Sequence, residues 1–291
     1  MANGITDTAR ERYRRPAETR SVRIGELTIT YLPDGAVGLD ARGWLPHSSD
    51  ADWAAHPEHL DERGQLVASI GGLLVEADER ALLIDAGIGR VEAGPVAGTP
   101  VGGATGGALL DSLAAIGRDP ASIEAVAFTH LHSDHVGWAG VADTFPGAKF
   151  LVDQREWAER ELAERAGTPR EALDTLATSL RGIEAGEEVF PGVRALPSPG
   201  HTVGHTGFVI ASGGRRLIAF GDALHTAAQV DRPDWHAWPD YDPRQAVESR
   251  RRLIAELAKP DTLGFGVHFA DVQFGEVHPA DDRPAWRPIA G

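Results

Sequence analysis

Residues 128–140 read FTHLHSDHVGWAG and place His130, His132, Asp134 and His135 within six consecutive positions. A lone loop histidine is commonly solvated, but four ligand-type side chains this close together can converge on metal. His130 and His132 have the His-x-His spacing that lets two imidazoles share one ion. Asp134 and His135 point elsewhere and could serve a second. The apolar run IEAVAF ahead of them reads as a strand, which would give the cluster a rigid base.

Three further stretches repeat the arrangement. PSPGHTVGHT puts His201 in a Pro/Gly turn, LIAFGDALH ends a strand on Gly221–Asp222, and LGFGVHFAD ends one on His268. A polar residue at a strand terminus is ordinary; four ligand-bearing termini in one chain are not. The chain has no cysteine, so any metal must be held by His, Asp and Glu, and thiolate nucleophiles and disulfides are excluded. No G-x-S-x-G elbow is present either.

In this order the four stretches resemble the metallo-β-lactamase superfamily, whose H-x-H-x-D-H motif matches His130–His135 and whose later His, Asp and His match His201, Asp222 and His268. The resemblance runs from about residue 22 to 270. It implies an α/β fold, the αββα sandwich, and a dinuclear centre: His130, His132 and His201 on one ion, Asp134, His135 and His268 on the other, Asp222 between them. Imidazoles and carboxylates suit zinc foremost, with manganese, cobalt or iron compatible. The implied reaction is hydrolysis of an ester or lactone by a metal-bridging hydroxide, with Asp134, Asp222 and His225 as the candidate catalytic residues.

An aspartate at 222 is similar to hydroxyacylglutathione hydrolases, N-acyl homoserine lactonases and methyl parathion hydrolase. His225 departs from the lactonases, which carry tyrosine there, and GDALH looks closer to the methyl parathion hydrolase-like branch. His225 reads as a substrate contact or as packing behind the ligands. His205 reads as a supporting residue, and Asp85 in LLIDAG as a hydrogen-bonding support of the metal loop. Trp44, Trp138, Trp235 and Trp238, with Phe269 and Phe274, could wall an apolar pocket. That favours an apolar small-molecule substrate over a glutathione thioester. Phosphotriester hydrolysis on the same site, metal binding without turnover, and an iron-dependent oxidoreductase are the rival readings. The family often dimerises, which makes a homodimer an expectation by analogy.

The elements that must position these residues follow from pattern. VRIGELTITYL (22–32), LVASIGGLLVEA (66–77), ALLIDAG, KFLVD, HTGFVIA and RRLIAFGD read as strands. Residues 34–65 and 94–107, rich in Gly and Pro, read as loops. Residues 154–180 read as helix broken at Gly167–Pro169, and a helix after Asp242 and Pro243 runs to Lys259. Arg250–Arg252 would form its solvated face. Residues 1–21 read as an exposed arm before a single domain at 22–291; His47, His56, His59, His236 and His278 read as solvated histidines. Apolar runs are too short for a membrane span, and a net charge of −15 without a basic stripe excludes nucleic acid. No apolar stretch follows the early charges, so the expected location is cytoplasmic.

Overall fold

The computed structural model describes residues 7–280 and 283–289. Among them the strands form two sheets. The first contains β1 (Arg20–Ile24), β2 (Leu27–Asp40), β3 (Gln65–Ala77), β4 (Arg80–Ile84), β5 (Val91–Ala93), β6 (Val101–Gly106), β7 (Ala125–Ala127), β8 (Lys149–Asp153) and β9 (Leu180–Ile183), in spatial order β5-β6-β2-β3-β4-β7-β8-β9 with β1 also on β2. The second runs in chain order: β10 (Glu188–Phe190), β11 (Val193–Pro197), β12 (Thr206–Ser212), β13 (Arg215–Ala219), β14 (Thr262–Phe265), β15 (Phe274–Ala280) and β16 (Arg283–Pro288). β4, β7, β8 and β9 pair in parallel, as do β13 and β14; the other pairings are antiparallel.

Alternation along the strands builds the layers. Ile29, Tyr31, Leu73, Val75, Leu82 and Ile84 face Phe208, Ile210, Leu217, Ala219 and Phe265 in one core between the sheets. The opposite face of the first sheet (Leu74, Leu83, Val126, Phe150) packs on Leu109, Leu113, Leu173 and Leu176 of helices Leu109–Ala115 and Arg170–Ala177. The outer face of the second sheet (Ile218, Phe220) packs on Leu253, Ile254 and Leu257 of helix Pro243–Leu257. Asp242 caps that helix, accepting from Arg244 N and Gln245 N at 3.0 Å each. The result is the helix–sheet–sheet–helix sandwich. Among the described residues no helix is long and apolar enough to cross a membrane.

Several expectations change. The strand read at 22–32 is a hairpin, turning at Gly25 with φ +56°. Residues 34–40 continue β2 instead of opening a loop, and β3 pairs with them as far as Asp40↔Gln65. Only 41–64 leaves the sheet, through helices Ala41–Trp44 and Asp50–Ala55. Of the loop expected at 94–107, residues 94–100 are a loop, but 101–106 form β6, which pairs with β5 and with β2, Ala36↔Thr105 and Val37↔Ala104 in register. Glycine carries a different meaning here: a Cβ on Gly35 would lie 1.8 Å from Thr105 O, so its absence admits the neighbouring strand. The region expected as one broken helix contains helices Gln154–Ala158, Glu161–Arg165 and Arg170–Ala177.

The arm is a further correction. Residues 1–6 lie outside the described residues, but beyond helix Asp7–Arg12 the chain is docked, with Tyr13 and Ala17 buried. Arg12, Arg15 and Arg20 converge on the buried Asp271 carboxylate at 3.3, 2.7 and 3.4 Å. Arg250 is corrected too. It is fully buried, and its guanidinium donates to Ala223 O, Pro233 O and Trp235 O at 2.8, 3.1 and 3.0 Å, while Arg251 and Arg252 stay exposed.

One carboxylate ties the first sheet to its connections. β2 bulges between Pro33 and Gly35, and the buried Asp34 there accepts from Ile88 N, Gly89 N, Gly107 N, Leu109 N and Trp138 Nε1 at 2.7–3.1 Å. Asp34→Ala would leave these donors unpaired. It is expected to cost at least ~3 kcal/mol of stability, read by chemical denaturation; a loss below ~1 kcal/mol would contradict this account.

Candidate metal centre

The four ligand-bearing stretches meet at one end of the two sheets. His130 and His132 follow β7, and His132 leads into helix Ser133–Val136, which carries Asp134 and His135. His201 lies in the turn from β11 to β12, Asp222 in the 3-10 turn Gly221–Ala223 after β13, and His268 just beyond β14. His132 Nδ1 is 3.0 Å from His130 Nε2 and 3.1 Å from His201 Nε2. Asp134 Oδ2 is 3.8 Å from His135 Nε2 and 3.6 Å from His268 Nε2.

Asp222 stands between the two groups. Its Oδ1 is 3.2 Å from both His135 Nε2 and His268 Nε2, and its Oδ2 is 3.5 Å from His201 Nε2 and 3.9 Å from His130 Nε2. His225 belongs to this cluster and not to packing behind it: its Nε2 is 3.1 Å from Asp222 Oδ2, and its ring stacks at 5.8 Å over His268.

Hydrogen bonds on the far side of each ring set its tautomer. His135 Nδ1–H donates to Asp85 Oδ2 at 2.9 Å, His201 Nδ1–H to Asp240 Oδ1 at 3.0 Å, and His268 Nδ1–H to Ser69 O at 2.8 Å. Thr129 donates its hydroxyl to Asp85 Oδ2 and so accepts from His130 Nδ1–H at 3.1 Å. With Nδ1 protonated in these four rings, their Nε2 lone pairs face inward. His135 Nε2, Asp222 Oδ1 and both His225 ring nitrogens are buried without a hydrogen-bond partner. Imidazole nitrogens and carboxylate oxygens converging in this way fit cations, and the imidazole–carboxylate donor set is that of a divalent-metal site.

The protonation balance agrees. Burial, then the neighbouring imidazoles His135 and His132, pushes His130 well below its ordinary range; burial and His201 push His132 down to about 3. Burial alone would raise Asp222, but His268, His135 and His225 hold it well below the usual carboxylate range. Burial likewise opposes charge on His135, yet Asp222, Asp85 and Asp134 lift it well above its ordinary value. These carboxylates call for positive charge at their centre.

Asp85 supports the ligand loop as expected, bonding His135 and Thr129 from a backbone with φ +58°. His205 lies underneath, accepting from Asp222 N at 3.0 Å and meeting Ser198 Oγ at 2.8 Å. Two supporting carboxylates carry no signal in the sequence. Asp240 holds His201 and is backed by Arg250 at 3.4 Å. Buried Glu156 accepts from Leu131 N at 3.1 Å and from Thr202 Oγ1 and Gly204 N at 2.7 and 2.9 Å, clamping the His130–His132 loop to the His201 turn.

A cavity of about 440 Å³ opens onto the cluster, walled by Val37, Leu39, Ala68, Ile70, Trp44 and Trp238, with Arg165 at its lining. The other aromatic residues do not join it. Trp138 donates to Asp34, Trp235 meets Trp53 at a tilt with ring centres 5.4 Å apart, and Phe269 and Phe274 sit in the cores. His47 and His236 meet edge-on at 4.3 Å.

An αββα sandwich with a histidine–aspartate cluster at its strand ends defines a class of metal-site proteins. The sequence profile of the metallo-beta-lactamase superfamily matches residues 73–267, and the chain belongs to that superfamily. An N-acyl homoserine lactonase from a Bacillus species is 28% identical over 169 residues, 57% of this chain and 64% of the relative. One from Bacillus cereus is 27% identical over 168 residues, with the same shares. The chain thus spans 64% of the length of these curated relatives. Among solved structures, AidC, a dizinc quorum-quenching lactonase in complex with a product, superposes with a TM-score of 0.81 at 22% identity, over 94% of this chain and 98% of that one. The hydrolase AbOPH of the beta lactamase superfamily gives 0.79 at 26% identity, over 96% and 99%.

Asp240→Asn keeps an acceptor for His201 but removes the charge that makes the ring a strong donor to metal. Divalent-metal affinity is expected to fall ~10–100-fold by chelator competition; unchanged affinity would remove Asp240 from this role.

Proposed function

We propose that the chain is a metal-dependent hydrolase that opens a lactone or cleaves an ester of an apolar small molecule, using two divalent ions, zinc foremost. His130, His132 and His201 would hold one ion, Asp134, His135 and His268 the other, and Asp222 would bridge them. The observation that carries this reading is the division of the Asp222 carboxylate, Oδ1 toward His135 and His268 and Oδ2 toward His201 and His130. The lactonase relatives and the dizinc lactonase neighbour support it. Bound cations would supply Lewis acidity, polarising the carbonyl and lowering the pKa of water toward ~7.

The chain's own residues do the rest. Trp44, Trp238 and the β2, β3 and β6 side chains hold an apolar acyl portion and exclude water, which strengthens polar interactions at the cleft floor. His225 at that floor donates a hydrogen bond to the oxygen on which negative charge develops. Asp134, which also lines the cleft, would take up the proton that the attacking water gives up as its oxygen bonds to the carbonyl carbon, and return it to the alkoxide released when the acyl C–O bond breaks. The wall offers no basic cluster for an anionic substrate, with Arg165 the single cationic side chain among the lining residues.

Side-by-side kinetics on a lactone, an aryl ester and a phosphotriester test the substrate class; the highest kcat/KM is expected on the lactone or ester, and a phosphotriester preference would shift the assignment. His225→Ala is expected to lower kcat by ~10²–10³ with metal content unchanged. Asp222→Ala should lose both turnover and at least one ion while the fold persists. Normal turnover and metal content in Asp222→Ala would refute the bridging role.

A further inference from the structure

The insert between β2 and β3 carries a second group of ligand-type side chains that the cleft does not use. His56 precedes the 3-10 turn Pro57–His59, which contains Glu58 and His59. One ligating atom from each of the three lies within 4.8 Å of the others, and His56 Nδ1 is 3.5 Å from Glu58 Oε1. The expectation of solvated histidines fails for His59. It is 9% exposed, edge-on to Tyr13 at 4.9 Å, and its ring nitrogens have no hydrogen-bond partner among the described residues.

The turn is held in place from both sides. Ser49 and Asp52 form a reciprocal cap on helix Asp50–Ala55 just before it, Pro57 fixes its first position, and Arg14 donates to Pro57 O at 2.8 Å. Three ligands on a turn fixed in this way need little ordering to meet an ion. Two imidazoles with one carboxylate select zinc, nickel or copper over magnesium or calcium, which take mostly oxygen ligands. Three protein ligands leave the remaining positions to water.

We infer that His56, Glu58 and His59 form a separate structural site for a zinc-class divalent cation, stiffening the insert where the N-terminal segment docks on it. The inference does not depend on how many ions the cleft binds or on what it hydrolyses. The test is zinc content by elemental analysis after saturation with zinc and desalting of the full chain. Wild type is compared with His56→Gln and Glu58→Gln, whose folding is checked by circular dichroism. Each variant is expected to retain one equivalent less than wild type, and the zinc-induced rise in Tm is expected to shrink. The same one-equivalent difference should persist when both changes are made in a His132→Ala background, where the cleft itself is weakened. Equal zinc content in wild type and both variants would overturn the site, whatever the cleft holds.

Discussion

The structure depends on a crowd of buried lone pairs. Nε2 of His130 and Nε2 of His201 lie 3.0 and 3.1 Å from His132 Nδ1, and Asp222 brings both carboxylate oxygens into the same space. Such an arrangement is unfavourable unless positive charge lies at its centre. The surroundings therefore work to keep it from relaxing. Asp85, Thr129, Asp240 and Ser69 O fix the rings from behind, and Glu156 stops the His130–His132 loop and the His201 turn from separating. Apart from the bond between neighbours Thr129 and His130, these contacts join residues from different elements, so the cluster is only as rigid as the sandwich beneath it.

That rigidity comes from a few buried charges at the joints between layers. Asp34, turned inward by the β2 bulge, gathers the amides of two connections and the indole of Trp138. Arg250 reaches from the last helix to the carbonyls of the loop beyond Asp222 and backs Asp240. Asp271, three residues after His268, draws in Arg12, Arg15 and Arg20 and so anchors the N-terminal segment beside a ligand strand. Breaking one partner of such a group leaves a buried charge or unpaired donors, which is why these joints couple fold to site.

What the sequence by itself determined is local. The ligand stretches are legible because each follows an apolar strand, so side-chain type and strand end are read in one window; the motif order carries the superfamily. The last helix is legible for the same reason, with Asp242, Pro243 and its apolar face all within eighteen residues. Tertiary structure decided what depends on distant partners. Gly35 and Gly102 look like loop formers until a neighbouring strand occupies the space their missing side chains leave. Arg250 sits in a run of three arginines, and only the carbonyls of residues 223–235 show which one turns inward. Asp240 and Glu156 lie 39 and 25 positions from the residues they hold, His201 and Leu131, and His59 gains its cover from Tyr13 across the insert. Periodicity and turn chemistry act over one element, whereas burial and hydrogen-bond satisfaction are settled only when elements from across the chain close on one another.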